Sequence, residues 1–427
     1  MEKKNNLYIK NALYIDPFTL TLRKGNVKIE PGTNGNIEFI DNLPQDVENI
    51  LDAQGSIVTR SFVVAHHHIY SALAVGMPAP IKTPSNFYET LKYIWWTLDK
   101  SLSLEMIQAS ALTTAIYAAK AGATFIIDHH ASPFAIEGSL EIIAKALEKV
   151  GLSHLLCYEI SDRDGDKIAM KGIEESEQYL KNNQGLIGLH ASFTISDKTL
   201  KKVAEIAQKY NSGIHIHVAE DKLDEDLCTI HHSKRVIERL NFFGFLNNEK
   251  TILAHAIHIN DLERKILNQS KAWIVQNPES NLNNKVGFFS LKGLNPNKIM
   301  LGTDGMHSDM IRSAQYAYFA GLAFENQDLT TIYQRLRNNH KYLKQNKFTG
   351  DNNNNLIIFD YKPRTPITEK NFLGHFFFAL SSAHINHVIS QGRIIVKNRK
   401  ITTVNEDEIF LFAQEQAKIL WNKMTNR

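Results

Sequence analysis

Cysteine is scarce in this sequence. Only Cys157 and Cys228 occur among 427 residues, and neither belongs to a CxxC pair. Two isolated cysteines cannot build a disulfide framework, so the small disulfide-rich class of secreted domains is excluded. We therefore expect a reducing, cytoplasmic compartment.

Long apolar runs and an excess of one charge are also lacking. The first residues, MEKKNNLYIK, contain no apolar core of a secretory signal, and no run elsewhere is long enough to cross a bilayer. The chain has 48 basic and 45 acidic residues, a formal net charge of +3. Because this imbalance is small, it gives no electrostatic argument for a nucleic acid or a membrane as partner, and we expect neither.

Strand-type segments at both ends flank a different middle. Residues 1–59 and 351–427 contain short apolar runs separated by turn residues, and residues 408–424 at the end have helical apolar spacing. We expect the two ends to form one small β-sandwich domain. Residues 60–350 would then form a second, larger domain.

The middle of the chain alternates between apolar strand-type runs and helix-length amphipathic segments, such as 104–120 after a predicted N-cap at Ser103. Eight such units over about 290 residues predict an α/β fold, a (β/α)8 TIM barrel. A doubly wound open sheet is the alternative, but no GxGxxG motif follows an early strand to support it. The eight runs are 57–68, 124–130, 154–161, 186–192, 213–220, 251–259, 272–279 and 299–304.

Ionisable side chains lie at the carboxyl ends of nearly all these runs, where a TIM barrel places its active site. A barrel built for packing alone would not show this pattern. The residues at these ends are His66/His68, Asp128/His129, Glu159, His190, His217/Glu220, His255/His258, Asn277 and Asp304.

Two of these ends have the spacing of metal ligands. His66 and His68 are two apart on a strand, so both point into the barrel, about 7 Å apart along the strand. An isolated HxH is more often structural, but the other strand ends favour an ion here. His215 and His217 also share a face, and Glu220 follows as a carboxylate suited to moving protons beside a metal-bound water. Asp304 could bind the ion, although alone it would fit a helix N-cap or a turn.

The motifs AHHH, HIHVAE, LAHAIH and LGTDG follow one another in the order and spacing of a known family. Together with HIYSALAVGMPAP (68–80), NPESNLNNKVG (277–287) and LGTDGMHSDM (301–310), they resemble the amidohydrolase superfamily in its cytosine-deaminase-like, chlorohydrolase (ATZ/TRZ) branch. Within the branch the sequence is most similar to SsnA-type aminohydrolases. The resemblance covers nearly the whole chain, including the sandwich of the two ends.

The resemblance implies a role for each matching residue. His66, His68, His217 and Asp304 would bind one divalent ion, zinc or alternatively iron. Glu220 would transfer a proton to the leaving group, His255 would hydrogen-bond the water or the developing oxyanion, and His190 would contact the substrate. The fourth run ends without the lysine that two-metal members usually carry, which implies a mononuclear site. The usual Pro-Gly before the first metal strand is Arg60-Ser61 here, which alters a turn but not the ligands.

The activity implied is that of an aminohydrolase, a hydrolase of carbon–nitrogen bonds other than peptide bonds. The ion would lower the pKa of its bound water, Asp304 would accept the proton, and the hydroxide would attack an amidine-type carbon of a small nitrogen heterocycle and release ammonia. The same residues would also serve dechlorination, N-dealkylation or the opening of a cyclic amide or imine. A non-catalytic metal-binding barrel is a minor alternative. A homodimer is the default expectation for a soluble enzyme of this size.

Several other residues keep open or structural interpretations. Trp95 and Trp96 could wall a planar substrate or pack in the core. His231-His232 follow an acidic stretch and predict a solvated segment, and His375 among aromatic residues predicts a packing role. No single role is predicted for His129, His130, His258 and His307, although His129 and His130 could line the pocket or fix the loop.

Overall fold

The computed structural model describes residues 6–45 and 47–425, so residues 1–5, on which the expectation of no secretory signal partly rests, lie outside the described part. It contains one strand group from the two ends and one from the middle. The first five strands are β1 (Leu7–Ile15), β2 (Leu22–Ile29), β3 (Ile37–Ile40), β4 (Ile50–Asp52) and β5 (Ile57–Arg60). The next eight are β6 (Phe62–His67), β7 (Ala123–His130), β8 (Ser153–Ile160), β9 (Ile187–Ala191), β10 (Ile214–Val218), β11 (Ile252–His255), β12 (Trp273–Gln276) and β13 (Ile299–Leu301). The last four are β14 (Leu356–Phe359), β15 (Ile385–Ser390), β16 (Arg393–Lys397) and β17 (Lys400–Ile401).

Helices separate the strands of the middle, and a helix is the last element of the described chain. The helices before β10 are α1 (Phe87–Thr90), α2 (Trp96–Ser101), α3 (Leu104–Lys120), α4 (Ser139–Val150), α5 (Asp166–Leu180) and α6 (Asp197–Lys209). Those after β10 are α7 (Lys222–His232), α8 (Val236–Phe242), α9 (Asp261–Gln269), α10 (Pro278–Asn283), α11 (Met310–Phe324), α12 (Leu329–Gln345), α13 (Phe372–Phe378) and α14 (Glu406–Thr425). A π-helical turn, Leu91–Trp95, joins α1 to α2. The predicted cap of α3 is present, since Ser103 accepts a hydrogen bond from the Met106 amide.

Strands β6 to β13 form the predicted barrel. Each pairs in parallel with its neighbour along the chain, giving one eight-stranded sheet in sequence order. The first and last strands meet where the amides of Thr303 and Asp304 both donate to the His66 carbonyl, at 3.0 and 3.1 Å. The (β/α)8 prediction is therefore confirmed, and the closing hydrogen bonds bring His66 beside Asp304.

The strands of the two ends form one sheet. Its order is β17-β16-β15-β14-β5-β1-β2-β3, with β4 on β1. Strand β5 lies between the two halves, because it pairs in parallel with β1 and antiparallel with β14. The two ends, which were expected to form a β-sandwich, thus share one nine-stranded, hydrogen-bonded sheet.

The prediction of one strand over 57–68 is wrong in detail. Residues Ile57–Arg60 belong to the sheet of the ends, whereas Phe62–His67 begin the barrel. Ser61 lies between them, and all these residues are buried. The residues at the point where the chain changes sheets, Thr59, Arg60 and Ser61, are polar but buried, and no glycine or proline marks a turn there, so the run reads as one strand.

The core follows this arrangement. One apolar cluster lies between the barrel and its helices, and another fills the interior of the barrel below the polar strand ends. Within residues 6–45 and 47–425, the helices lack the combination of length and apolar character that crossing a membrane requires.

Candidate metal centre and active site

The four predicted metal ligands converge at the carboxyl ends of the barrel strands. One ligand atom from each of His66, His68, His217 and Asp304 lies within 4.8 Å of the other three. All four residues are buried. The closing of the barrel, which joins β13 to β6, is what brings Asp304 to the two histidines of β6 and the residue after it.

The hydrogen bonds of two ligands fix which nitrogen faces the cluster. His68 Nδ1 donates to the His129 carbonyl and His217 Nδ1 donates to the His190 carbonyl, both at 2.7 Å. In neutral rings this leaves a lone pair on each Nε2, and the two Nε2 atoms are 3.1 Å apart. Two lone pairs at this distance repel each other unless a cation lies between them. Tetrahedral zinc, with nitrogens at 2.0–2.1 Å, would place two ligand nitrogens about 3.3 Å apart.

His66 and Asp304 complete the cluster. His66 Nδ1 is 2.9 Å from His215 Nε2, while its own Nε2 is buried without a hydrogen-bond partner and lies 3.7 Å from Asp304 Oδ1. Asp304 Oδ1 is 3.0 Å from His68 Nε2, and Ser280 Oγ donates to Asp304 Oδ2 at 2.5 Å. Although burial opposes ionisation, the neighbouring His66 and His68 side chains hold the pKa of Asp304 well below its usual range. Three imidazoles and an ionised carboxylate fit the ligand set of a divalent cation.

Glu220 and His255 lie beside the cluster. His255 Nε2 is 3.5 Å from Glu220 Oε2 and 3.9 Å from Asp304 Oδ2. Burial lowers the pKa of His255 to about 4, so the imidazole is neutral. Burial, and then the charge of Asp304, raise the pKa of Glu220 well above its usual range, so this carboxyl group retains its proton. The site therefore holds an ionised and a protonated carboxyl group close together.

The end of β10 is fixed by the loop that follows it. Asp224 accepts hydrogen bonds from the amides of Ala219, at 2.9 Å, and Phe193, at 3.2 Å. Because Ala219 lies between His217 and Glu220, this carboxylate fixes the turn that aims both side chains at the site. Asp128 fixes the end of β6 in the same way. Its carboxylate accepts a hydrogen bond from the amide of Ile69, the residue after His68, at 2.8 Å.

His190, which was predicted to contact the substrate, lines the cavity above the cluster. Its Nδ1 is 2.7 Å from Thr194 Oγ1, and its ring contacts Trp96 and Phe193 with centroid distances of 5.9 and 5.8 Å. The cavity has a volume of about 70 Å³. Trp95 and Trp96 both line the cavity, and Trp95 also packs against the apolar core, so both interpretations hold for Trp95.

The histidines without a predicted role lie outside the four-ligand cluster. His129 Nε2 is 3.1 Å from the carbonyls of Leu189 and His215, and His130 bonds Ser132 Oγ at 2.9 Å. The remaining two bond groups at the rim: His258 the Val286 carbonyl at 2.7 Å, and His307 the Glu279 carboxylate at 3.0 Å.

Two other expectations about histidine agree with the structure. His231 and His232 lie in the last turn of α7, with His231 exposed, and His375 is buried with Nδ1 2.9 Å from the Tyr361 hydroxyl. Sequence reasoning missed Asn281 and Ser280, which contact His255 and Asp304 from α10. It also missed Arg163, which lies just after the third barrel strand.

Comparison with protein families agrees with this geometry. The model of the amidohydrolase family matches residues 57–337, which include all four residues of the cluster. The chain belongs to the amidohydrolase family. Membership confirms the predicted hydrolase of carbon–nitrogen bonds.

Curated relatives of this amidohydrolase cover nearly its whole length. The 5'-deoxyadenosine deaminase of Methanobrevibacter smithii is 25% identical over 445 residues, covering 96% of this chain and 97% of that protein. The 5-methylthioadenosine/S-adenosylhomocysteine deaminase of Thermococcus sibiricus is 28% identical over 423 residues, covering 92% and 94%. These deaminase names agree with the aminohydrolase activity predicted from the sequence.

Solved structures share the fold at low identity. An adenosine deaminase from Xanthomonas campestris with bound zinc superposes with a TM-score of 0.82 at 16% identity, covering 97% of this chain and 98% of that chain. Atrazine chlorohydrolase TrzN from Arthrobacter aurescens TC1, complexed with zinc, gives a TM-score of 0.80 at 14% identity, covering 96% and 100%.

Proposed function

We propose that this amidohydrolase removes the exocyclic amino group of a small nitrogen heterocycle as ammonia. The observation that carries the proposal is the position of Glu220 and His255 next to Asp304 of the four-ligand cluster. One side-chain nitrogen or oxygen of each of the three residues lies within 4.8 Å of the other two. They supply a proton donor, a hydrogen-bond donor and a base, the three functions that hydrolysis of an amidine carbon requires. The deaminase names of the curated relatives support the same reaction.

One divalent ion would be held by His66, His68, His217 and Asp304, and we propose zinc, with iron as the alternative. The zinc-bound neighbours of the same fold support this choice. When bound, such an ion lowers the pKa of a water molecule enough to provide a nucleophile at neutral pH.

The residues of the chain would then move the protons. Asp304, ionised and 3.0 Å from His68 Nε2, accepts a proton from the attacking water. His255 donates through Nε2 to the oxygen that gains negative charge. Glu220, which retains its proton, delivers it to the ring nitrogen of the amidine, and His190 contacts the ring from the cavity wall. Asp304 then passes its proton to the amino group, which leaves as ammonia, and the new hydroxyl group on the carbon returns a proton to Glu220 as it becomes a carbonyl group.

We also propose finer assignments: an SsnA-type aminohydrolase, located in the cytoplasm and assembled as a homodimer. The motifs of the sequence support the first, and two free, buried cysteines suit a reducing compartment. Light scattering after size-exclusion chromatography tests the dimer: a mass of about twice 48.5 kDa supports it, and 48.5 kDa contradicts it.

Zinc-loaded protein incubated with aminopurines, aminopyrimidines, aminotriazines and nucleosides tests the activity. We expect ammonia release from at least one class, and loss of that release in His217→Ala but not in His231→Ala, an exposed histidine on α7. Release of chloride or an alkylamine from substituted triazines, without ammonia from any compound, would instead favour the dechlorination or dealkylation alternative. No release from any compound with metal bound would contradict the proposal.

A further inference from the structure

Two charged side chains in the active-site cavity have no part in the reaction described above. Glu159, at the end of β8, and Arg163, just after it, both line the cavity, and their side chains are only 3% and 9% exposed. Two basic side chains lie beside the Glu159 carboxylate, with His129 Nδ1 at 3.4 Å and Arg163 Nη1 at 3.6 Å. Both distances exceed the 2.7–2.9 Å of a charge-assisted hydrogen bond. A buried carboxylate is thus left without a short hydrogen bond at the cavity wall.

Arg163 is held rigidly by other groups. It donates from Nη2 to Asp99 and from Nε to Asp164 at 3.2 Å, and its guanidinium lies over the Trp96 ring at 5.1 Å. These contacts leave Nη1 as the donor that faces Glu159. The cavity therefore presents one hydrogen-bond donor and one acceptor side by side, both fixed before a ligand arrives.

We propose that Glu159 and Arg163 form a recognition pair for a lactam edge, an N–H next to a C=O, on the ring of a free amino-substituted base. The ring N–H would donate to Glu159 and the ring carbonyl would accept from Arg163 Nη1. The inference rests on the proposed function, because it names the ring on which that deamination takes place.

Distance places this pair at the base and not at a sugar. A Glu159 carboxylate oxygen lies within 4.8 Å of a ring nitrogen of His217, a member of the four-ligand cluster. The carbon that is hydrolysed must lie against this cluster, so the group that Glu159 binds belongs to the same ring or to an atom attached to it. The hydroxyl groups of a ribose lie much farther from the amino-bearing carbon.

Room in the cavity favours the same class of substrate. The cavity volume of about 70 Å³ is several times the roughly 10–15 Å³ that a single buried water needs. That is room for one planar base. Trp96 and Phe193, which flank His190, provide flat apolar surfaces for such a ring.

Matched substrates test the proposal with the zinc-loaded enzyme. Guanine and isocytosine carry the lactam, whereas 2-aminopurine and 2-aminopyrimidine lack only this group, and guanosine adds only a ribose to guanine. We expect kcat/KM for ammonia release to be at least about 100-fold higher with the lactam, and at least about 100-fold higher without the ribose. A preference for the compounds without a lactam, or for nucleosides, would overturn the proposal and leave the deaminase intact.

A variant separates recognition from folding. Glu159→Gln should lower kcat/KM for guanine about 100-fold and change that for 2-aminopurine less than about 3-fold. An equal loss with both substrates would show a structural role and overturn the proposal. Glu148→Gln, at an exposed glutamate on α4, is the control and should change neither.

If no compound of the panel releases ammonia, the proposed function is contradicted. A binding measurement then still tests the recognition pair. Calorimetric titration with xanthine, an oxo base with the same lactam edge, then reports on the pair alone. Binding at least about 10-fold weaker to Glu159→Gln than to the unmodified enzyme supports the recognition pair. Equal binding, or no binding to either protein, overturns it.

Discussion

Asn281 fixes the protonation of His255. Its side-chain amide donates to His255 Nδ1 at 2.7 Å, and both residues are fully buried. Because Nδ1 accepts this hydrogen bond, the single proton of the neutral imidazole lies on Nε2. That nitrogen faces Glu220 and Asp304, so α10 determines that His255 acts as a donor in the site.

Reversing this hydrogen bond should slow the reaction. In Asn281→Asp the carboxylate accepts from Nδ1, which either removes the proton from Nε2 or charges the ring. We expect kcat to fall about 10²- to 10³-fold with little change in KM, as for loss of an oxyanion donor. Asn283→Asp, at an exposed position of the same helix, should leave kcat unchanged. An Asn281→Asp enzyme with full kcat would show that the tautomer of His255 has no part in the reaction.

Glu220 should set the alkaline limit of activity. Its pKa is raised by burial and by Asp304, and the reaction needs the protonated form. Activity should therefore fall as the pH rises through this elevated pKa. Glu220→Gln should lower kcat by about 10²- to 10⁴-fold and remove this alkaline limb from the pH profile. Asp226→Asn, on the exposed side of α7, is the control for the charge change. Retention of the limb in Glu220→Gln would assign it to another group.

Gly302 should prove essential to the metal site. A methyl group there would lie 2.4 Å from Asn277 Oδ1 and 2.9 Å from His66 Cβ, which is closer than side chains approach each other. Gly302→Ala should displace His66 and lower zinc affinity at least about 10-fold, measured by competition with a chromogenic chelator. Gly374→Ala, at a helical glycine with open space around it, should bind zinc normally. Unchanged affinity in Gly302→Ala would show that the ligand can shift without cost.

A buried ion pair joins the sheet of the ends to the barrel, and we expect its loss to destabilise the protein. Asp351 lies 3.0 Å from Arg60 Nη2, in β5, and 2.8 Å from His340 Nδ1, in α12. Replacing Asp351 with Asn leaves the Arg60 charge buried without its partner. We expect a loss of about 3–5 kcal/mol in the free energy of unfolding, measured with urea. Asp166→Asn, in an exposed pair with Lys198, should cause no measurable loss.

The same pair gives a pH dependence. Burial opposes the charge of Asp351, but His340 and Arg60 hold its pKa below the usual carboxyl value. Because its pKa is lower in the folded state, ionised Asp351 stabilises the protein at pH values above the unfolded pKa of about 3.9. This stabilisation is lost as the pH falls through the folded pKa. The difference in stability between the original protein and Asp351→Asn should therefore shrink as the medium is acidified below about pH 4. A constant difference would contradict the assigned pKa.

The sequence predicted the residues whose positions follow from strand geometry. His66 and His68 share a face because the side-chain period of a strand is two, and His217, His255 and Asp304 end strands of a barrel whose carboxyl ends converge. Residues placed by contacts between distant segments escaped prediction. Arg163 is fixed by Asp99, 64 residues away, and Asn281 reaches His255 only because α10 follows β12 across the barrel mouth.

The split of residues 57–68 between two sheets escaped for a related reason. No glycine or proline separates the two strands, and their pairing distinguishes them: β5 pairs with β1 and β14, whereas β6 pairs with β7.

The proposed reaction depends on one divalent ion held by His66, His68, His217 and Asp304. Native mass spectrometry of the chain after loading with zinc and removal of free metal measures the stoichiometry directly. We predict one zinc ion per chain in the original protein and in His231→Ala, and none in His217→Ala. Two ions per chain, or one ion retained by His217→Ala, would contradict the account.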